Sequence, residues 1–394
     1  FHTALLTSLA TRARPPYEEV LTHGFTLDGK GRKMSKSLGN TVAPQEIIKK
    51  FGAEILRLWV AAEDYREDVR ISDEILNRLV EAYRRLRNTA RFLISNLYDF
   101  NPSKDAVPVQ ALDEMDRWIM QRAQTVLGRC REAYDDYEFH VVYHTLNNFC
   151  SVDLSAQYLD IVKDRLYCEA ARSQSRRAAQ TTLYRLLDTL VHLMAPILSF
   201  TAEEIWRYMP DKEQRPQSVF LSSMPEPDPT LVDAPLEEKW DRIFRERGEV
   251  LKALEVTRSG GIIGHSLDSE VLIFSKTFTE SILRRLAERN GKWLEDVLIV
   301  SQFDHAADTP AWLWELEEAR QSGQDGRAAP VQHPDGRNGW AYYSKTLDSI
   351  IAVLKARGTK CERCWKYDPW VGKDADHPTV CARCAAVLTS GAAA

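Results

Sequence analysis

Apolar positions recur at helical spacing through most of this sequence. Ile47, Ile48, Phe51, Ile55, Leu58 and Trp59 follow Pro44, a residue suited to the first turn of a helix, so the spacing predicts one helix from about 44 to 59. Ser72 stands as an N-cap ahead of Asp73 and Glu74, and Leu76, Leu79, Val80, Tyr83, Leu86, Ala90, Leu93 and Leu97 then mark one face of a long helix. Further helices are expected near 112–134, 139–165, 176–194 and 197–209, the last entered at Pro196. Short connections between them predict an antiparallel bundle. Elsewhere the pattern changes. Tyr17 to Phe25 reads as strand, as do Val271 to Phe274 and Val297 to Val300, the latter two flanking a helix at 280–290 and following a charged helix over 236–258. Pro210, Pro216, Pro225, Pro227, Pro229 and Pro235 leave no room for a long regular element, so 210–235 reads as a linker. The stretch 304–340 is polar and Gly-rich and shows no periodicity.

At 394 residues and 44% hydrophobic content, the chain has material for roughly two to three domains with a core in each. Lys plus Arg (52) nearly balances Asp plus Glu (57), so any affinity for nucleic acid must reside in local patches. No apolar run is long enough to span a bilayer, and the first twenty residues lack the layout of a secretion signal; a cytoplasmic location is expected. The sequence opens on Phe1 within an apolar stretch (Ala4, Leu5, Leu6, Leu9), which reads as a piece of a longer chain.

Two constellations carry chemistry. Between Asp28 and Glu46, Lys30, Arg32, Lys33 and Lys36 are interleaved with Gly29, Gly31 and Gly39 and with no acidic residue. Glycine allows close backbone approach and lysine supplies mobile positive charge, which suits a polyphosphate. At the other end, four of the seven cysteines form Cys361-x-x-Cys364 and Cys381-x-x-Cys384, with the inner pair seventeen positions apart. Two such knuckles complete the four-thiolate tetrahedral shell that zinc prefers and leave no open position, so the role is structural. His377 and Asp376 lie in the same loop as lesser alternatives. Around the knuckles, basic residues alternate with Trp365, Tyr367 and Trp370, an arrangement that either contacts RNA or covers the metal site. Two basic helix faces offer phosphate-tracking surface: Arg78, Arg84, Arg85, Arg87 and Arg91, then Lys163, Arg165, Arg172, Arg176, Arg177 and Arg185. His140, His144 and His192, with Cys130, Cys150 and Cys168, read as packed core residues.

Lys33-Met-Ser-Lys-Ser37 followed by Leu-Gly-Asn40 resembles the second ATP motif of class I aminoacyl-tRNA synthetases. Further stretches are similar to the bacterial-type isoleucyl members of that family. They include Thr22-His-Gly-Phe25, Asp68 to Ile75, Arg87 to Leu93, Phe149 to Ala156 and Lys163 to Tyr167, together with Lys360 to Trp365 and His377 to Cys384 around the cysteines. The resemblance covers nearly all of 1–300 and 355–384. Three features of the family are missing from this stretch of sequence: the first ATP motif, most of the nucleotide-binding fold and the inserted editing domain. Ala43 also stands before Pro44 where a capping Asp is common in the family.

The resemblance implies a mainly α architecture. It consists of the distal end of a class I Rossmann-type catalytic domain (1–70), a helical-bundle anticodon-binding domain (71–209), the Pro-rich linker (210–235), a small α/β junction domain (236–354) and a zinc module (355–394). It implies ATP-dependent activation of isoleucine and transfer to tRNA(Ile), by a monomer. Lys33 and Lys36 would act on the triphosphate of ATP, which is used with Mg2+, and Ser35 and Ser37 would either bond ATP or shape the turn. Cys361, Cys364, Cys381 and Cys384 would hold one zinc. The isoleucine pocket would lie outside this sequence. Two alternatives stand beside this: a synthetase-derived tRNA-binding protein in which the lysine loop is a relic, and a valine-type relative.

Overall fold

The computed structural model describes residues 1–275 and 291–391. Its first segment holds α1 (His2–Arg12), β1 (Thr26–Asp28), α2 (Pro44–Phe51), α3 (Ala53–Ala62) and β2 (Val69–Ile71). β1 and β2 pair in parallel, Thr26 opposite Val69, and parallel pairing needs the crossover that α2 and α3 supply. The strand expected over Tyr17 to Phe25 is instead irregular. β2 offers only three residues of partner, so pairing begins at Thr26, and Gly24 and Phe25 are tied by single bonds to the Tyr65 carbonyl and the Asp68 carboxylate. The single helix expected from 44 to 59 is two helices. Gly52, at φ 89°, breaks it in a conformation that a side chain would strain, and Ala43 caps α2 with no side-chain bond.

The bundle follows: α4 (Asp73–Ser95), the single turn α5 (Pro102–Asp105), α6 (Glu114–Asp135), α7 (Phe139–Asn148), α8 (Leu159–Cys168), α9 (Gln174–Met194) and α10 (Ser199–Tyr208). Ser72 caps α4 by accepting the Ile75 N–H, as its position predicts. Between α7 and α8 the chain stays helical but widens into a π-helix over Phe149–Tyr158. The Ser151 hydroxyl donates to the Asn147 carbonyl there and competes with the backbone for it. His192 is buried and bonded to the Asp188 carbonyl and the Ser222 hydroxyl, and Cys130, Cys150 and Cys168 are buried. Residues 210–233 form no long element. They lie along α6, with Arg131 donating to the Met224 and Pro225 carbonyls and Gln124 accepting the Asp228 N–H.

α11 (Ala234–Ser259) leads from the bundle into a five-stranded sheet of order β4-β3-β7-β6-β5, formed by β3 (Ser269–Phe274), β4 (Gln302–Ala306), β5 (Ala328–Gln332), β6 (Asn338–Ser344) and β7 (Ser349–Lys355). β3 and β4 run parallel and the other pairs antiparallel. Val271, Ile273, Ile351 and Val353 face the core that includes α11 and the bundle, whereas Phe274, Ile350 and Ala352 face α13 (Trp314–Ser322). Gly260 allows this packing, because a Cβ there would lie 2.1 Å from the Trp340 indole nitrogen. Val297 to Val300, expected as strand, instead closes α12 (Gly291–Leu298). Ile299 turns the chain at φ 58°, and the strand starts later, at Gln302. The helix expected at 280–290 lies outside the described residues. The stretch with no periodicity holds the end of β4, α13, β5 and the start of β6. Beyond the sheet come the hairpin β8 (Thr359–Lys360) and β9 (Tyr367–Asp368), then α14 (Ala382–Gly391).

Half of the second basic face turns inward, at Arg165, Arg176 and Arg177, while Lys163, Arg172 and Arg185 stay exposed. Asp116 is 0% exposed and accepts both guanidinium nitrogens of Arg165 at 2.9 and 2.7 Å, plus the Tyr158 hydroxyl at 2.6 Å. Arg176 grips Asp99 at 2.6 and 3.0 Å, so these arginines hold helices together and are not offered to a partner. Asp116→Ala removes the buried carboxylate and leaves Arg165 only Asp113, at 2.9 Å, so we expect a loss of about 3 kcal/mol in urea unfolding. Tyr158→Phe should cost about 1 kcal/mol. An Asp116→Ala chain as stable as the parent would remove this network from the forces holding the bundle.

Candidate nucleotide loop and metal centre

The lysine loop is shaped by a buried acid. Asp28, at the end of β1, accepts the Lys30 and Arg32 N–H groups at 3.0 and 2.9 Å, the Arg32 Nε at 2.9 Å and the Asn40 amide at 3.0 Å. The Asn40 bond and the Arg32 N–H hold its carboxyl well below the usual range. Asn40 in turn accepts the Ser35 N–H and donates to the Lys33 carbonyl, closing the loop on itself. Gly31 and Gly39 take φ 74° and 63°, and Gly29 packs so tightly on Ser72 that a Cβ would meet it at 2.9 Å.

Ser35 caps the single 3-10 turn Lys36–Leu38 by accepting the Leu38 N–H, and its hydroxyl pairs with that of Ser37 at 3.1 Å. Both serines therefore shape the turn. Lys33 and Lys36 are exposed; the Lys33 ammonium lies 5.3 Å from the Phe25 ring centroid. Neither lysine forms an ion pair among the described residues. The acidic and amide side chains turn inward to fix the backbone while the ammonium groups project outward, an arrangement able to meet phosphate oxygens. Asp28 and Asn40 were visible in the sequence only as the ends of the basic run. The Asp-Gly turn signal at Asp28-Gly29 pointed to their role.

The four cysteine sulfurs converge as the spacing predicts. All four side chains are buried, and their sulfurs lie within 4.8 Å of one another. Four thiolates about 2.3 Å from a tetrahedral zinc would be about 3.8 Å apart; Cys364 and Cys381 are 3.8 Å apart. Hydrogen bonds within the cluster lower Cys381 and raise Cys364 and Cys384, so metal binding would displace the protons the latter two hold. The donor set fits zinc. Asp376 and His377 lie outside the cluster. Trp370 packs against the cysteines, whereas Trp365 is exposed and does not cover them.

This knuckle is fastened to its surroundings by charge. Arg363 donates to the Cys168 carbonyl on α8, Arg383 forms a two-pronged pair with Asp164 at 2.5 and 2.7 Å, and Lys366 pairs with Asp296 on α12 at 2.5 Å. The first basic face remains outward, with Arg84 and Arg87 each more than half exposed and paired with Glu81 and Glu204.

Three family models match successive parts of the chain: "tRNA synthetases class I (I, L, M and V)" over residues 1–72, "Anticodon-binding domain of tRNA ligase" over 116–273 and "Zinc finger found in FPG and IleRS" over 358–387. The isoleucine–tRNA ligase of Syntrophotalea carbinolica is 48% identical over 99% of this chain, and those of Moorella thermoacetica and Geobacter sulfurreducens are each 47% identical over 98%. Over nearly its whole length the chain is similar to isoleucine–tRNA ligases. It spans 38%, 39% and 38% of the length of these three relatives. The matched zinc-finger region contains all four cysteines of the cluster. Among the described residues no helix is long and apolar enough to cross a membrane.

Prolonged chelation should release about one zinc per chain and loosen the 358–387 region. Cys381→Ser should lower metal content to near zero, as measured by elemental analysis with hydrogen exchange across 355–391. A Cys381→Ser chain that keeps its zinc and its protection would remove this site.

Proposed function

We propose that this chain is the part of an isoleucine–tRNA ligase that contributes the ATP-contacting lysine loop, the surface that binds the tRNA anticodon arm and a structural zinc. The observation that carries this reading is the end-to-end similarity to ligases of that name, which includes both the loop and the knuckle. In the reaction, the isoleucine carboxylate attacks the α-phosphorus of ATP and pyrophosphate leaves. Lys33 and Lys36 offset the negative charge that builds on the departing phosphates, with Mg2+ sharing that charge. Ser35 and Ser37 hold the turn that presents the lysines. Cys361, Cys364, Cys381 and Cys384 bind the zinc, which supplies rigidity and no open coordination position. The bundle, α4 to α10, meets the tRNA through its outward arginines. We read the assembly as a cytoplasmic monomer, with the isoleucine pocket outside these residues.

Lys36→Ala in the complete ligase should slow isoleucine-dependent pyrophosphate exchange by about one to several orders of magnitude and leave tRNA affinity nearly unchanged. An unchanged rate would remove the loop from the chemistry. Replacing Arg84 and Arg87 together by Ala should weaken binding of tRNA(Ile) to this chain and flatten its dependence on salt; an identical salt slope would place the tRNA elsewhere.

A further inference from the structure

A fifth cysteine stands beside the four-cysteine cluster. Cys168 closes α8, is 4% exposed and packs in one buried group with Cys361, Cys364, Cys381 and Cys384. Tetrahedral zinc takes four thiolates, so Cys168 is surplus to the metal. The other two surplus cysteines, Cys130 and Cys150, are sealed in the bundle core away from the cluster.

Both knuckles reach to the last turns of α8 and hold Cys168 in place. Arg363, between Cys361 and Cys364, donates to the Cys168 carbonyl and lies 3.7 Å from the Cys384 sulfur. Arg383, between Cys381 and Cys384, pairs with Asp164. The Cys168 thiol donates in turn to the Arg363 carbonyl at 3.7 Å, one residue before Cys364. Its sulfur is thereby kept against the first knuckle.

Cys168 and Cys364 also share a wall. A cavity of about 390 Å³ opens between α8, α12 and the first knuckle, and of the four ligands it is Cys364 that lines it, together with Cys168. Cys364 is also the most exposed of the four, at 8%. A small oxidant entering there meets one ligand sulfur and one free thiol side by side. Peroxides attack thiolate sulfur, and a neighbouring thiol decides whether the product becomes a reversible disulfide or runs on to irreversible acids.

We propose that Cys168 is the resolving thiol of a peroxide-sensitive zinc site, joining Cys364 in a disulfide on oxidation and so freeing the metal. The Cys364 thiolate gives an electron pair to one oxygen of hydrogen peroxide; an S–O bond forms, the O–O bond breaks and the other oxygen leaves as hydroxide. The Cys168 sulfur then attacks the Cys364 sulfur. The S–S bond forms, the S–O bond breaks, and that oxygen leaves as water with the proton of Cys168. Two electrons have passed from sulfur to peroxide, and three thiolates remain where four are needed. An external dithiol reverses the step. The inference rests on the reading of the cluster as a zinc site.

The test treats the zinc-loaded chain with a small excess of hydrogen peroxide at neutral pH, maps its peptides without reduction and follows metal with a colorimetric chelator. The parent should yield a peptide pair linked through Cys168 and Cys364 and release about one zinc per chain, and dithiothreitol with added zinc should restore binding. Cys168→Ser should load zinc as the parent does. After the same exposure its Cys364 should carry sulfinic acid, and the zinc it regains on reduction should be lower by about fivefold or more. If disulfides in the parent join only the four ligands, or if Cys168→Ser regains its zinc as fully as the parent, the resolving role is overturned and the zinc site stands. A parent chain that binds no zinc overturns both. Should Cys168→Ser itself bind no zinc, the parent's peptide map decides alone: a Cys168–Cys364 link upholds the proposal and its absence ends it.

Discussion

The burial of Trp240 ties the two halves of this fold together. Its side chain, 0% exposed, lies against Trp118 of α6 at 5.8 Å and Trp293 of α12 at 5.6 Å between ring centroids in tilted geometry, with Phe244 one turn further along α11. One helix thus has one face against the bundle and another against the sheet, and the hydrophobic core runs unbroken from Ile47 to Val353. Rings of this size dominate core energetics, and a helix shared between two cores fixes their relative placement without a covalent link. The charged groups follow that placement. Glu237, on the first turn of α11, receives Arg122 and Gln121 from α6, and Glu249, on a later turn, receives the Ser344 hydroxyl from the sheet.

How much of this was legible in the sequence depends on whether the pattern was local. The capped helix starting after Ser72 and the buried periodicity of α9 were plain, because amphipathic spacing and caps are properties of a few neighbouring residues. The sheet was harder to read. β7, Ser349-Ile-Ile-Ala-Val-Leu-Lys355, is buried on both faces, so it shows a continuous apolar run in place of an alternating one, and its partners β3 and β6 are set by tertiary pairing. Val297 to Val300 is β-branched and strand-like by composition, yet it ends a helix because its apolar groups fill the space between α11 and β4. Arg165, Arg176 and Arg177 of the second basic face misled for the same reason. Arg165 and Arg176 lie in a charged run, and only the fold shows that Asp116 and Asp99 wait for them inside.

The candidate sites were more legible than the fold around them, since each rests on residue types at short spacing. The cysteines needed only their own knuckles. The lysine loop shows where that legibility stops. Its basic residues announce themselves, but the groups that make it a rigid presenter of charge are Asp28 and Asn40, for which the sequence offers only the turn signal of Asp28-Gly29.

That arrangement also explains why the loop tolerates so much positive charge. Four basic side chains within seven residues would repel one another in a floppy turn. Asp28 removes Arg32 from the set by pairing with it and uses its remaining lone pairs on backbone N–H groups. The negative charge is thereby consumed inside the loop and is not presented to an incoming anion. Ser35 and Ser37 satisfy the turn with neutral oxygens. Lys30, Lys33 and Lys36 are left as the outward charges of a fixed backbone, so the cost of ordering the loop falls on folding and not on the moment when an anion binds.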